Sequence, residues 1–350
     1  MNSTKRYNNN KPYLLIDSSY VSYYRFFSTL IWYTNTYFKQ SIDSDNLPDS
    51  EEFTEDYDWT SNKIFMERYD KFYMGSIEKI RSRYNIPYEN IVIVRDCPRE
   101  TIWRMKIYPE YKETRKNTCK FKNKKYNIGN VFKHIYSTLY PDIMKKYNLK
   151  IVKFDNAEAD DVIAVLCNKL REIDSNRLIV IITNDNDYLQ LVDNKTLIWS
   201  LQNKLLNTKV EKSSKQILLK KIISGDPSDN IPPCITDISD EYLTCLISDP
   251  IKLQNLINTN PSFKKKFELN TTLIDFTEIP MEIKQAIFLE FAEFFPKLDD
   301  SVMNISNSQY NHFNGKYNRY TYRNNYRYRS YNRDTYDSQR SKMGKPNGIF

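Results

Sequence analysis

Histidine, glycine and paired cysteine are scarce in this sequence, and the shortages remove whole classes of chemistry. Only two histidines, His134 and His312, occur in 350 residues. Histidine metal sites and Ser-His-Asp or Cys-His catalysis therefore have little material; both residues are expected at the surface or in packing. Cys97, Cys119, Cys167, Cys234 and Cys245 form no C-x-x-C pair. An odd, scattered set argues against structural disulfides and thiolate zinc and fits a reduced intracellular compartment. There are six glycines. No apolar run is long enough to span a bilayer. The opening MNSTKRYNNNK has no apolar core of a secretory signal. A soluble intracellular protein without membrane partners is expected, in cytoplasm or nucleus, and a monomer; a viral origin stays open.

Charge is abundant but unevenly placed. The net +8 lies almost wholly in residues 301–350, where nine Lys/Arg face two Asp. Residues 41–60 carry eight acids and no Lys/Arg, whereas residues 99–125 carry ten Lys/Arg and three Glu. Such polarised blocks say more about partners than the total does. The 28 tyrosines, with many Asn, Lys and Ile, reflect an AT-rich coding sequence more than a function.

Short apolar runs punctuate the first two-thirds. YLLI at 13–16, IVIV at 91–94, LKIVKF at 149–154, LIVII at 178–182 and TLIW at 196–199 read as strands. Between them, residues 19–34 and 62–83 have helical spacing, so an α/β fold with a mainly parallel sheet is expected. The acidic stretch 41–60 reads as a loop. From 211 to about 300 the pattern turns to short helical pieces broken by Pro and Asp, and a helix over 281–295 ends before Pro296. Residues 306–340 are Tyr/Asn/Arg-rich and lack aliphatic residues for a core, which predicts disorder. Arg beside Tyr suits nucleic acid, through phosphate pairing and base stacking. The expected organisation is a flexible 1–12, an α/β domain over 13–205, a helical region over 206–300 and a basic tail over 301–350.

Acids follow these apolar runs. Asp17 comes after the first, Asp96 after the second, Glu158, Asp160 and Asp161 after the third, and Asp185 and Asp187 after the fourth. In a parallel sheet the strands' carboxyl ends share one rim, where ligands bind. Each acid alone is explained as a helix cap or a dipole partner. The set is not: two carboxylates about 5 Å apart repel by roughly 3 kcal/mol at an effective dielectric of about 20. A divalent cation reverses that sign. Oxygen-only ligands favour Mg²⁺ or Mn²⁺, and two ions roughly 4 Å apart can serve phosphodiester cleavage. Glu158 and Asp161, at i and i+3, share a helix face. Asp226 and Asp229 in GDPSDN repeat that spacing.

Together LIDSSYVSYYR, RDCPRETIWRMKIYPEYKETR, AEADDVIAVL, TNDNDYLQL and GDPSDNIP resemble, in order, the blocks of the 5′ nuclease family. That family contains flap endonucleases, phage 5′–3′ exonucleases and RNases H, and the 5′ nuclease domain of bacterial DNA polymerase I. The likeness covers roughly residues 13–235. It implies a PIN-like α/β nuclease domain followed by a helix–three-turn–helix DNA-binding region. It implies two divalent ions, Mg²⁺ or substituting Mn²⁺, held by Asp17, Asp96, Glu158, Asp160, Asp161, Asp185, Asp187, Asp226 and Asp229. It makes the basic block, about 98–130, an arch over single-stranded DNA. There Lys112 and Arg115 would be catalytic, Lys112 reaching the scissile phosphate. Arg104, Lys116 and Lys120 would contact nucleic acid, and Tyr111 would stack on a terminal base. In the tail, Arg323 and Arg327 would add phosphate contacts. The implied activity is cleavage at or near 5′ ends of DNA (flaps, nicks or RNA primers, with RNA·DNA hybrid a further substrate) in replication or repair, alongside replication proteins.

Two departures stand out. The family often has Gly after its first Asp, and here that residue is Ser18. After GDPSDNIPP the family continues with a glycine-rich hairpin that grips duplex phosphates and a monovalent cation; this chain reads CITDISDEYLTCLI, with neither Gly nor Lys. Three other readings are a non-catalytic DNA-binding relative, an RNA-directed PIN nuclease and a haloacid-dehalogenase-type phosphatase. The last needs a second acid two residues after Asp17, where Ser19 stands.

Overall fold

The computed structural model describes residues 11–37, 57–114, 119–121, 124–210 and 213–291, with the backbone alone for 119–121, 124 and 209. Most of the acidic stretch, the tail with Arg323 and Arg327, Arg115, Lys116 and the Lys120 side chain lie outside what is described.

All five predicted strands form. They are β1 (Tyr13–Asp17), β2 (Ile91–Arg95), β5 (Lys150–Lys153), β6 (Ile179–Ile182) and β7 (Thr196–Trp199). They make one sheet in the order β5-β2-β1-β6-β7, every pair parallel. The chain therefore starts in the middle, adds two strands on one side and then two on the other. The reversal falls between β1 and β6, the place where such sheets open a crevice for ligands. Burial explains the near-continuous apolar strands: Leu14, Leu15, Ile16 and all four residues of β6 are buried, as in a sheet covered on both faces.

Helices α1 (Ser18–Tyr37) and α2 (Lys63–Arg83) cover one face, where Phe26, Phe65, Tyr69, Tyr73 and Ile77 pack with Leu14 and Ile16. The Asn62 side chain caps α2 by accepting from Phe65 N–H at 3.0 Å. Helix α5 (Ala159–Ile173) packs against β1 and β2, burying Val162, Ile163, Val165 and Leu166.

Two features escaped the sequence reading. The basic block contains an antiparallel pair, β3 (Cys119–Phe121) with β4 (Lys124–Tyr126). After it, α3 (Gly129–His134), a π-helical turn (Ile135–Leu139) and α4 (Tyr140–Tyr147) run on as one helical stretch. His134 is half-buried, its Nε2 3.0 Å from an Asp70 oxygen.

Beyond β7 the described residues are helical: α6 (Ser214–Ser224), α7 (Asp240–Ser248), α8 (Pro250–Thr259), α9 (Pro261–Ile274) and α10 (Met281–Phe291). Their starts are written locally. Asp249 and Asn260 cap α8 and α9, and Pro250 and Pro261 follow in the first turn. Residues past 291 of the predicted 281–295 helix are outside the description. No helix of the described residues is long and apolar enough to cross a membrane.

Candidate metal centre

The strand-end acids meet at one rim, and each is held by neighbours from elsewhere in the chain. Asp17 ends β1 and caps α1, its Oδ1 accepting from Tyr20 N–H at 3.1 Å. Its Oδ2 accepts from the Thr183 and Tyr188 hydroxyls, each at 3.3 Å. Asp96 follows β2 and accepts from the Ser19 hydroxyl at 2.5 Å and from Ala159 N–H at 2.9 Å. The first turns of α1 and α5 thus fix the acid of the second strand. Past β6, Asp185 accepts from Asp187 N–H at 2.9 Å.

Glu158 is the N-cap of α5, with Asp160 and Asp161 in its first turn. One oxygen of each lies within 4.8 Å of the others, yet their surroundings differ. Asp161 is fully buried. Arg104 grips it bidentately, 2.8 Å to each oxygen, and its Oδ2 also accepts from Trp103 Nε1 at 2.9 Å and Glu158 N–H at 3.2 Å. Glu158 accepts from Arg104 at 3.1 Å and the Tyr111 hydroxyl at 2.9 Å, and pairs with the Lys112 ammonium. Asp160 accepts from Asp161 N–H at 2.7 Å.

A second cluster joins Asp187, Asp226 and Asp229, again with one oxygen each inside 4.8 Å. Lys221 of α6 pairs with Asp187 and lies 2.7 Å from Asp226. The Ser228 N–H and hydroxyl both donate to Asp226, at 2.9 and 2.7 Å. Asp229 accepts from the Tyr111 hydroxyl at 3.1 Å and lies 3.6 Å from Lys112 Nζ. Tyr111 and Lys112 therefore straddle the two clusters.

The backbone enforces that position. Lys112 has φ +56°, a left-handed conformation that costs an L-residue about 1–3 kcal/mol unless its surroundings hold it. Here its N–H donates to the Asp229 carbonyl at 2.9 Å. Asn230 Nδ2 donates to the Glu110 carbonyl at 2.8 Å, and the Tyr108 hydroxyl to the Asn230 carbonyl at 3.0 Å. Just upstream, Gly225 has φ +72°, and a Cβ there would stand 2.5 Å from the Ile231 carbonyl oxygen. Gly225→Ala is therefore expected to lower the free energy of urea unfolding by about 1–3 kcal/mol for the backbone conformation alone, and to loosen Asp226 and Asp229.

Charge in the clusters is only partly balanced. Burial, then Asp96, pushes the Asp17 carboxyl up to about 7. Burial and Asp185 push Asp187 up to about 6. Burial, Glu158 and Asp161 raise Asp160 well above the usual carboxylate range. Burial pushes Glu158 and Asp226 the same way, but Lys112 and Arg104 outweigh it for Glu158, and Lys221 and Ser228 for Asp226, so both are held low. Burial also raises the Tyr188 hydroxyl, and Asp17, Asp160, Asp185 and Asp96 all add to that shift, so these acids share one electrostatic neighbourhood. Buried carboxylates that resist ionising, with oxygen the sole donor type, fit a hard divalent cation.

The structure thus brings all nine predicted acids to one rim but changes two assignments, Arg104 and Tyr111. Asp161, expected as an ion ligand, is one of the first cluster, and its oxygens also accept from Arg104 and Trp103, which tie down the start of α5. Arg104 was expected at nucleic acid; it is 1% exposed and spent on Asp161, Glu158 and the Leu273 carbonyl, 2.7 Å away. Tyr111 was expected to stack on a base; it is 2% exposed, with its hydroxyl between Glu158 and Asp229. Lys221, Tyr188, Thr183 and Trp103 were not anticipated. Nothing in the sequence marks Lys221, one of two adjacent lysines on a short helix.

Residues 70–221 match the family described as "5'-3' exonuclease, N-terminal resolvase-like domain". That stretch, a little under half of the chain, carries a likeness to 5′ nucleases. Among curated 5′ nucleases, a 5'-3' exonuclease of Buchnera aphidicola subsp. Baizongia pistaciae is 30% identical over 192 residues, covering 53% of this chain and 58% of that protein. One from Mycoplasmopsis pulmonis is 35% identical over 156 residues, covering 42% and 47%. The chain thus spans about half the length of these curated relatives. A bacteriophage T5 flap endonuclease, solved with DNA and metal ions, superposes with a TM-score of 0.55 at 15% identity, covering 82% of this chain and all of the other. The T5 5'-exonuclease with bound zinc gives 0.54 at 14% identity and the same coverage. These structures show that the chain shares their PIN-like fold. A haloacid-dehalogenase-type phosphatase is not favoured by any of these likenesses.

Proposed function

We propose that this chain is a divalent-metal-dependent 5′ nuclease, hydrolysing phosphodiester bonds at or near the 5′ ends of DNA at flaps, nicks or RNA primers, in replication or repair. The observation that carries the reading is the rim itself. The start of α5 supplies one cluster, and Asp187 with the GDPSDN turn the other, with two ammonium groups inserted among them; Asp17, Asp96 and Asp185 share the electrostatic surroundings of Tyr188 with Asp160. Asp17, Asp96, Glu158 and Asp160 would hold one ion. Asp185, Asp187, Asp226 and Asp229 would hold the other. Mg²⁺ suits the donor set, and Mn²⁺ can replace it. Bound there, such ions lower the pKa of a water and stabilise charge developing on a phosphate.

The chain's own groups do the positioning. Thr183 and Tyr188 donate to one oxygen of Asp17 and fix its direction. Arg104 and Trp103 lock Asp161 and so the whole first turn of α5. Lys112, held between the clusters, supplies positive charge where phosphate oxygens would gain negative charge. Arg115, Lys116 and Lys120 of the basic block, and Arg323 and Arg327 of the tail, supply salt-sensitive phosphate contacts. In this reading residues 13–205 form the nuclease part and 206–300 the part that binds duplex, with single-stranded 5′ ends as substrate and RNA·DNA hybrid as a second one.

The test is cleavage of labelled 5′-flap, nicked duplex, single-stranded DNA and RNA·DNA hybrid, with Mg²⁺ or with EDTA. Metal-dependent products from the 5′ end are expected on at least the flap. Absence of metal-dependent cleavage on all four would overturn the proposal, and the product lengths separate exonuclease from flap endonuclease behaviour.

A further inference from the structure

Behind the rim lies a chain of buried hydroxyls that the reading above does not use. Ser18, the residue after Asp17, is 0% exposed. Its Oγ lies 2.7 Å from the Tyr140 hydroxyl, which lies 2.7 Å from the Tyr73 hydroxyl. Tyr140 and Tyr73 are buried as well. One turn along, the Ser22 hydroxyl donates to the Ser18 carbonyl at 2.7 Å. Buried hydroxyls are costly without partners, and phenylalanine would fill the same space. Three of them joined end to end at this place call for a reason.

Position supplies one. Ser18 stands at the junction of β1 and α1, between Asp17 and Ser19. Asp17 caps α1 through Tyr20 N–H, while Ser19 donates to Asp96. A shift in this turn moves two carboxylates from two strands. The helical stretch that carries Tyr140 reaches the second strand by another route. Tyr136, one turn earlier, lies under the Arg95 guanidinium, 3.5 Å from the ring centre, and its ring centre is 5.8 Å from that of Tyr140. Arg95 immediately precedes Asp96. The π-helical turn between α3 and α4 contains Tyr136 and ends just before Tyr140, and π-bulges frequently mark functional positions.

We propose that Tyr140, backed by Tyr73, is a positioning residue: through Ser18 it fixes the first turn of α1, and with it the aim of Asp17 and of the Ser19–Asp96 bond. The inference rests on the divalent-metal reading of the rim and names residues that set how tightly it binds. Groups that orient metal ligands through hydrogen bonds typically change affinity by about 10–100-fold when removed.

The test is isothermal titration of the full chain with Mn²⁺, alongside urea unfolding. Tyr140→Phe removes one oxygen and is expected to weaken Mn²⁺ binding about tenfold. Ser18→Ala, which removes the other end of the same bond, is expected to match it, and the double variant to be no weaker than either single one. Should Tyr140→Phe fail to fold, Ser18→Ala carries the test. The control is Tyr69→Phe. That equally buried hydroxyl donates to the Ser22 carbonyl at 3.2 Å and makes no bond to Ser18, so its loss should leave Mn²⁺ affinity unchanged. Wild-type affinity in the folded Tyr140→Phe variant, or equal weakening in Tyr69→Phe, overturns the inference alone. A wild-type chain that binds no Mn²⁺ overturns the metal reading, and the inference with it.

Discussion

Arg104→Met is expected to be the most destabilising single substitution at the rim, by about 3–5 kcal/mol in urea unfolding at pH 7. The guanidinium is buried and holds Asp161 with two parallel bonds, Glu158 with a third and the Leu273 carbonyl with a fourth. Methionine fills similar space but leaves an uncompensated anion in the protein interior. Arg104→Lys keeps the charge and loses the planar fork, so a smaller loss is expected. Arg104→Met with Asp161→Leu removes both charges and should recover part of the loss, because the penalty is that of a stranded carboxylate. A single-variant loss below about 1 kcal/mol would mean that the pair is solvated like a surface ion pair. A merely phosphate-binding arginine would instead leave stability unchanged and alter only DNA affinity.

Asp17→Asn is expected to pull activity and stability in opposite directions. Cleavage should fall below detection, since the amide keeps the shape of the carboxyl and loses its charge. The metal-free protein should become more stable at pH 8. Asp17 ionises at about 7 in the fold against an ordinary 3.8. Between those values the folded chain binds more protons than the unfolded one, so stability falls as pH rises from about 4 to about 7 and levels off above. Neutral asparagine removes that slope. The melting midpoint at pH 8 should rise by roughly 2–4 °C for each kcal/mol of relieved repulsion, with a smaller rise at pH 5 and little change below about pH 4. Mg²⁺ should raise the wild-type midpoint at pH 8, since a ligand bound only by the fold stabilises it, and raise that of Asp17→Asn much less. A variant that melts lower than wild type at pH 8 in EDTA would show that the acids at the rim are not in conflict.

Much of this arrangement was readable before the structure, for a physical reason. A parallel sheet buried on both faces demands short apolar runs, and an acid directly after such a run stands at the carboxyl rim whatever the helices do. Asp17, Asp96 and Asp185 follow from that rule. The α5 acids follow from helix periodicity. Pairings between distant buried polar groups leave no such trace. Arg104 meets Asp161 across 57 positions and Tyr140 meets Ser18 across 122. An arginine in a basic block looks like one more surface cation, so Arg104 and Tyr111 were assigned to nucleic acid when they are internal ties. The β3–β4 pair was missed because three-residue strands rich in lysine carry no alternation. Ser18, noted only as a departure from glycine, turned out to be the link to Tyr140.

The bond from Arg104 to the Leu273 carbonyl bears on how this protein can be divided. Every acid at the rim precedes residue 230, and the family-model match ends at 221, which suggests a minimal unit ending soon after. The guanidinium that settles Asp161 has its last partner at the end of α9, and Gln190, three residues past Asp187, reaches the same place by donating to the Ile274 carbonyl and accepting from Phe276 N–H. Cutting the gene near 235 would keep all the chemistry and discard the clasp that closes around it. The smallest heritable module is therefore set by that clasp, and swaps between relatives should be made beyond residue 276.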